Sequence, residues 1–336
     1  MVIDASTIAL LAVALVFAFL NGLHDSSNIV ATMISSRAMS PRKALMLTAI
    51  AEFCGPFLLG VAVARTVGSE VIAPESIQFA VIIAGVLGAI VWNVVTWLAG
   101  IPSSASHALI GGLVGAAAMA QGPQVVQLAG LEKILIALFV APIAGLIVGY
   151  IAMKTVLFLA RGATPRINVF FRRAQTVTAV TLALSHGSND AQKVAGIIVL
   201  GLITLGRQDS FFIPTWVLLV SAGGLAFGTS IGGWRIIRTL GGRFYKIRPV
   251  HGFTAQVSSA AVIGIASWLG GPVSTTHVVS SSILGIGAAQ RVSQVRWGVA
   301  QEIAIAWLLT IPATGAVAAL FYLGLRYLGW ETMIYF

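Results

Sequence analysis

An all-α, polytopic membrane protein is what this sequence predicts, and three observations carry that expectation. Of 336 residues, 58% are hydrophobic and 9% are charged, against about 25% charged in an ordinary soluble domain. The apolar residues come in stretches long enough to cross a bilayer, which takes a helix of about 20 residues. Two motifs each occur twice, far apart, so the chain reads as two copies of one unit. At about 30 residues per span with its loop, the length accommodates about ten crossings.

In order, the spans are expected at 5–36, 43–65, 77–99, 102–120 and 131–160, then at 175–206, 212–230, 252–268, 272–290 and 298–326. The first follows an acid with no basic stretch before it, so MVIDASTIALLAVALVFAFL reads as a span and not as a cleavable signal peptide. Segments 5–36 and 175–206 exceed one straight crossing and carry polar interruptions, so both are expected to be broken or re-entrant helices. Segments 102–120 and 272–290 each open on Pro followed by small hydroxyl residues, with Pro placed in the first helical turn. The organisation is then a first repeat over 1–160, a short basic linker over 161–174 and a second repeat over 175–336.

Lys and Arg favour cytoplasmic loops. With the first span running inward, the loops at 37–43, 161–173, 235–248 and 291–296 hold fourteen of the 20 basic residues. The opposite side holds four, together with acids that include Asp4, Glu70, Glu75 and Glu331. Both termini then lie outside. The net charge of +10 is accounted for by topology and anionic lipid headgroups, with no nucleic-acid partner required. The single cysteine, Cys54, excludes an internal disulfide and Cys-rich metal motifs.

FLNGLHDSSNIVA is echoed by LSHGSNDAQKVAG, with Asp25 falling on Asp190 and Gly22 on Gly187. PSSASHALIGGLVG is echoed by PVSTTHVVSSSILG, with His107 falling on His277 and Pro102 on Pro272. Five spans per copy, an odd number, invert the second copy relative to the first. Inverted repeats with interrupted helices point to a secondary transporter with its site at the repeat interface.

Ionisable side chains inside an apolar span are costly and so are functional candidates: Asp25, Glu52, Asp190, Lys193 and Glu302. Asp25 and Asp190 occupy equivalent positions and are suited to holding a cation, Na+ included; the plainer reading is that each caps a half-helix. Gly22 and Gly187 would permit the break. Asp25 and Asn28, three apart, share a helix face. Ser103, Ser104 and Ser106 match Val273, Ser274 and Thr276, while Ala105 matches Thr275. Hydroxyls at a helix start, with its free N–H groups, suit an oxyanion; small residues also serve close packing. His24, His107, His186 and His277 sit in the same motifs, as supporting groups, proton carriers or neutral imidazoles satisfied by carbonyls. Lys193 stands where Asn28 stands in the first copy. It pairs with Asp190, supplies charge to the oxyanion, or replaces one bound cation; the second of these is favoured. Glu52 and Glu302 have no partner visible in the sequence.

The stretches NGLHDSSNIVATMISSRAMSP, SHGSNDAQKVAG, GTSIGGWRIIRTLG and GGPVSTTHVVSSSILGIGAA closely resemble the inorganic phosphate transporter (PiT) family in its short bacterial form, over nearly the whole chain. The resemblance implies a symporter importing inorganic phosphate with H+ or Na+, with no cofactor and no enzymatic activity, in the cytoplasmic membrane. Asp25, Asn28, Asn189 and Asp190 would bind coupling cations and help hold phosphate, and Ser104, Ser106, Ser274, Thr275 and Thr276 would contact it. Ser103 and Lys193 join the substrate set on the residue argument above. The first motif has His24 where the second has Asn189. A PhoU-like cytoplasmic accessory protein, docking on the basic 235–248 loop, and a second copy of the chain are the protein partners to look for. The competing classes are a permease for sulfate or another tetrahedral oxyanion, a passive channel, and an intramembrane Ser/His hydrolase. The last lacks any Gly-x-Ser-x-Gly elbow or His-Glu-x-x-His pair.

Overall fold

The computed structural model describes residues 4–58, 60–69, 77–242 and 247–329. Glu70, Glu75 and Glu331, and Arg243 and Lys246 of the basic loop, lie outside them. The described residues form twelve α-helices and no strand. Over the first half these are α1 (Ala5–Ser35), α2 (Pro41–Leu58), α3 (Ala62–Ser69), α4 (Phe79–Ala99), α5 (Ala105–Gln121) and α6 (Leu128–Leu159). Over the second they are α7 (Ile167–Thr204), α8 (Thr215–Ile231), α9 (Trp234–Gly242), α10 (Pro249–Trp268), α11 (Thr275–Arg291) and α12 (Trp297–Tyr327). Helix α7 thus begins inside the expected linker, and α9 occupies much of the expected 235–248 loop.

Helices α1, α4, α6 and α12 are each long and apolar enough to cross a membrane, and the bent pairs α2–α3 and α8–α9 raise the number to six. The expected ten spans exceed this. Helices α5 and α11 have 17 residues each, about 26 Å at 1.5 Å per residue, and α7 and α10 carry too many polar side chains. Many of those side chains are buried, among them Asn189, Asp190, Gln192 and Lys193 of α7 and Thr254, Gln256 and Ser259 of α10. The outer surface is apolar, with Leu128, Trp268 and Leu320 more than two-thirds exposed. Buried polar side chains inside an apolar shell are the reverse of a soluble domain and match a lipid surround.

The broken helices lie elsewhere than expected. Segments 5–36 and 175–206 are continuous helices, and the bends fall between α2 and α3 (81°) and between α8 and α9 (71°). Gly60 (φ +83°) and Gly232 (φ +82°) adopt there the left-handed backbone that glycine permits. Gly22 and Gly187 serve close approach instead: a methyl on Gly22 would overlap the Leu225 carbonyl of α8, and one on Gly187 the Glu52 carbonyl of α2. In the same way Gly285 admits α6 against α11, and Gly115 with Gly315 admits α12 against α5. The halves therefore exchange helices, and small residues let the backbones touch.

Gly22→Ala and Gly187→Ala should each lower the melting temperature of the purified protein, by an overpacking cost of about 1–3 kcal/mol. Gly223→Ala in α8, where nothing lies within 4 Å of the added methyl, should leave it unchanged or slightly raised. Equal behaviour of the three variants would refute the close-packing role.

Candidate functional site

Helices α1 and α7 bring the two aspartates together, and the start of α11 closes the gap between them. The Thr275 hydroxyl lies 3.3 Å from Asp25 Oδ2 and 3.3 Å from Asp190 Oδ2, bridging the halves. The Thr276 hydroxyl lies 2.9 Å from Asp25 Oδ1, and Asn28 Nδ2 donates to Thr276 Oγ1 at 2.9 Å. Asn28 Oδ1 is buried without a hydrogen-bond partner. Asp25 and Asn28 thus converge on one hydroxyl, as their three-residue spacing on a helix allows. Neither aspartate caps a half-helix, because α1 and α7 run through without a break.

Lys193 faces Asp190 one turn away. Its Nζ donates to Asp190 Oδ1 at 2.5 Å, to Ser106 Oγ at 2.5 Å and to the Val273 carbonyl at 2.8 Å. The ion pair left open in the sequence is present, and the same ammonium reaches the start of α5. Ser106 in turn donates to the Val273 carbonyl at 3.1 Å, so the starts of α5 and α11 meet.

The histidines divide into two groups. His186 lies between the carboxylates, with Nε2 3.2 Å from Asp190 Oδ2 and 3.8 Å from Asp25 Oδ2. His24 Nδ1 is 3.1 Å from Asp25 Oδ1. His107 and His277 stack against each other with ring centroids 4.6 Å apart, and Trp307 covers the outer face of His277 at 3.8 Å. Among the described residues neither ring hydrogen-bonds to an aspartate, and His107 Nδ1 turns back to Ser104 Oγ at 2.8 Å.

Several hydroxyls have local duties. Ser104 and Ser274 are the N-caps of α5 and α11, accepting from the amides of His107 (3.1 Å) and His277 (3.3 Å). Pro102 and Pro272 therefore lie two residues ahead of the N-caps and not in the first turns of the helices. Ser103 donates to Thr96 Oγ1 at 2.8 Å and is 3.5 Å from His24 Nε2. Asn189 is directed away from the aspartates, donating to Ser267 at 2.9 Å and to the Gly271 carbonyl at 3.2 Å.

Glu52 is the residue that sequence reasoning left without a place. It is fully buried, sits 2.5 Å from His186 Nδ1, and accepts from the Thr229 hydroxyl. The available signal was its burial cost in an apolar span. Glu302 is exposed on α12 and has no part in the site.

Carboxylate oxygens of Asp25 and Asp190 and a ring nitrogen of His186 all lie within 4.8 Å of one another, among the described residues a group able to surround a small cation. The hard oxygens of the two aspartates, with the bridging Thr275 hydroxyl and the unpartnered Asn28 Oδ1, fit an alkali cation. The buried hydroxyls and the Lys193 ammonium supply donors to an oxyanion.

The profile of the "Phosphate transporter family" matches residues 21–318. A "Probable low-affinity inorganic phosphate transporter" of Bacillus subtilis is 43% identical over 320 residues, covering 94% of this chain and 96% of that protein. A protein of the same description from Rhizobium meliloti is 44% identical over 317 residues, covering 94% and 95%. Among solved structures, "The sodium-dependent phosphate transporter" superposes with a TM-score of 0.87 at 23% identity, covering 96% of this chain and 100% of that one. That structural likeness concerns the fold.

Proposed function

The chain belongs to the phosphate transporter family and is a multi-pass membrane protein, and from that premise we propose that it imports inorganic phosphate across the cell membrane in symport with H+ or Na+. The two halves act as inverted repeats that rock about the site between them, giving alternating access. The observation that carries the reading is Thr275, whose hydroxyl touches Asp25 from one half and Asp190 from the other. A site shared in this way is remade whenever the halves move.

Moving a phosphate dianion inward against about 100 mV costs about 4.6 kcal/mol, and two or more cations riding along remove or reverse that penalty. Asp25 with Asn28, and Asp190 on the opposite helix, would hold positive charge, and the hydroxyls of Ser106, Thr275 and Thr276 would face the oxyanion. Phosphate keeps a proton to donate to such carboxylates; sulfate does not at neutral pH. The enzyme alternative falls with the family, whose named relatives are transporters.

Purified protein in liposomes decides between the readings, with phosphate and sulfate flux measured with and without imposed proton and sodium gradients. Phosphate accumulation driven by one of the gradients is expected. Sulfate accumulation instead, or phosphate movement that only dissipates its own gradient, would overturn the proposal. Within the same assay Thr276→Ala and Ser106→Ala should raise the apparent KM for phosphate about tenfold or more without uncoupling transport, since a hydrogen bond to a charged group contributes about 1.5–3 kcal/mol. Unchanged KM in both would make these hydroxyls packing groups only.

A further inference from the structure

The two copies of the first motif differ at one position inside the site, where α1 has Asn28 and α7 has Lys193. We propose that the Lys193 ammonium is a tethered cation: in the second half it fills the oxygen cage that a mobile monovalent cation fills in the first. The protein would then move one coupling cation fewer per phosphate than its two-fold plan provides for. This rests on the symport reading above.

The cage around Lys193 is made of a carboxylate, a hydroxyl and a main-chain carbonyl, from Asp190, Ser106 and Val273, at 2.5, 2.5 and 2.8 Å. Three acceptors match the three donors of an ammonium. They are also the kinds of oxygen that coordinate a hard cation, and the Val273 carbonyl lies in the non-helical stretch ahead of α11, where transporters gather such ligands.

The repeat maps this cage onto the first half. Asp190 corresponds to Asp25, Ser106 to Thr276 and Lys193 to Asn28. There the Thr276 hydroxyl lies 2.9 Å from Asp25 Oδ1 and Asn28 Nδ2 lies 2.9 Å from Thr276, while Asn28 Oδ1 is buried and unpartnered. One half thus has a cation inserted on a side chain, and the other has a spare oxygen at the equivalent position. Asp25 faces imidazoles, His24 at 3.1 Å and His186 at 3.8 Å, and among the described residues it pairs with no Lys or Arg. Asp190 faces both His186 and Lys193. A buried carboxylate without a compensating charge is unfavourable, so a mobile cation gains more at Asp25 than at Asp190.

Lys193→Asn writes the first half's residue into the second, and it should restore the missing coupling site. In liposomes, the reversal potential should then report one more elementary charge moved per phosphate than the parent protein moves. If Lys193→Asn does not transport, the purified protein is tested by its melting temperature in sodium, potassium and choline chloride at low and high pH. The variant should gain a saturable stabilisation by one cation, the proton included, that the parent lacks and that Lys193→Asn with Asp190→Asn loses. An unchanged charge-to-phosphate ratio in an active variant, or no new cation-dependent stabilisation in an inactive one, overturns the proposal. A parent protein that moves no phosphate under any gradient overturns the symport reading instead.

Discussion

Asp25→Asn and Asp190→Asn should each lower concentrative phosphate uptake at least a hundredfold. Each carboxylate is held by a Thr275 contact and either Thr276 or Lys193, and the asparagine keeps the shape while removing the charge that a cation neutralises. Bonds to a charged group contribute about 1.5–3 kcal/mol each, so losing two reaches two decades or more. The two variants should differ in stability. Asp25→Asn removes a buried charge whose neighbours are imidazoles, and the folded state should be unaffected or more stable. Asp190→Asn strands the Lys193 ammonium, 2% exposed, and should lose about 3–5 kcal/mol. Replacing Lys193 by Met in that background should recover the melting temperature without recovering uptake. Near-parental accumulation by either single variant would remove the aspartates from the mechanism.

Glu52→Ala should be the most destabilising single change on α2. The carboxylate is fully buried and satisfies both His186 Nδ1 and the Thr229 hydroxyl. Its removal leaves two buried polar groups unpaired, at about 1–3 kcal/mol each, besides the void. The damage should extend to transport, because His186 holds its other nitrogen between Asp25 and Asp190 and is oriented by Glu52. Glu52→Gln keeps an acceptor and the volume and should retain much of the stability. A melting temperature for Glu52→Ala equal to that of the parent would show the pair to be energetically idle.

The doubled motifs made most of the site legible, because equivalent residues of two copies must meet if the copies share an interface. Asp25, Asn28, Asp190, Lys193, Ser106, Thr275 and Thr276 are joined by direct hydrogen bonds or by one shared partner. Glu52 was not legible as a site residue: His186 and Thr229 lie 134 and 177 positions away in sequence, and no local pattern links them. The bends were misplaced for a related reason. Polar residues in mid-helix read as interruptions, but here Asn28 and Asp190 find partners on α11, at Thr276 and Thr275, so α1 and α7 have no need to unwind. Asn189 shows the limit of reading by symmetry. Its counterpart His24 turns to Asp25, while Asn189 turns to Ser267 and Gly271.

The exchange of helices between halves bears on how the chain is made. Helix α5 packs against α12, and α6 against α11, both from the second half. During biogenesis the first half would thus emerge with the glycine-lined backs of α5 and α6 uncovered, and could complete neither until α11 and α12 had been made. Such long-range pairing delays native assembly. A nascent chain arrested before α11 should accordingly be a ready substrate for membrane quality-control proteases, and the two halves expressed as separate polypeptides should survive only when made together.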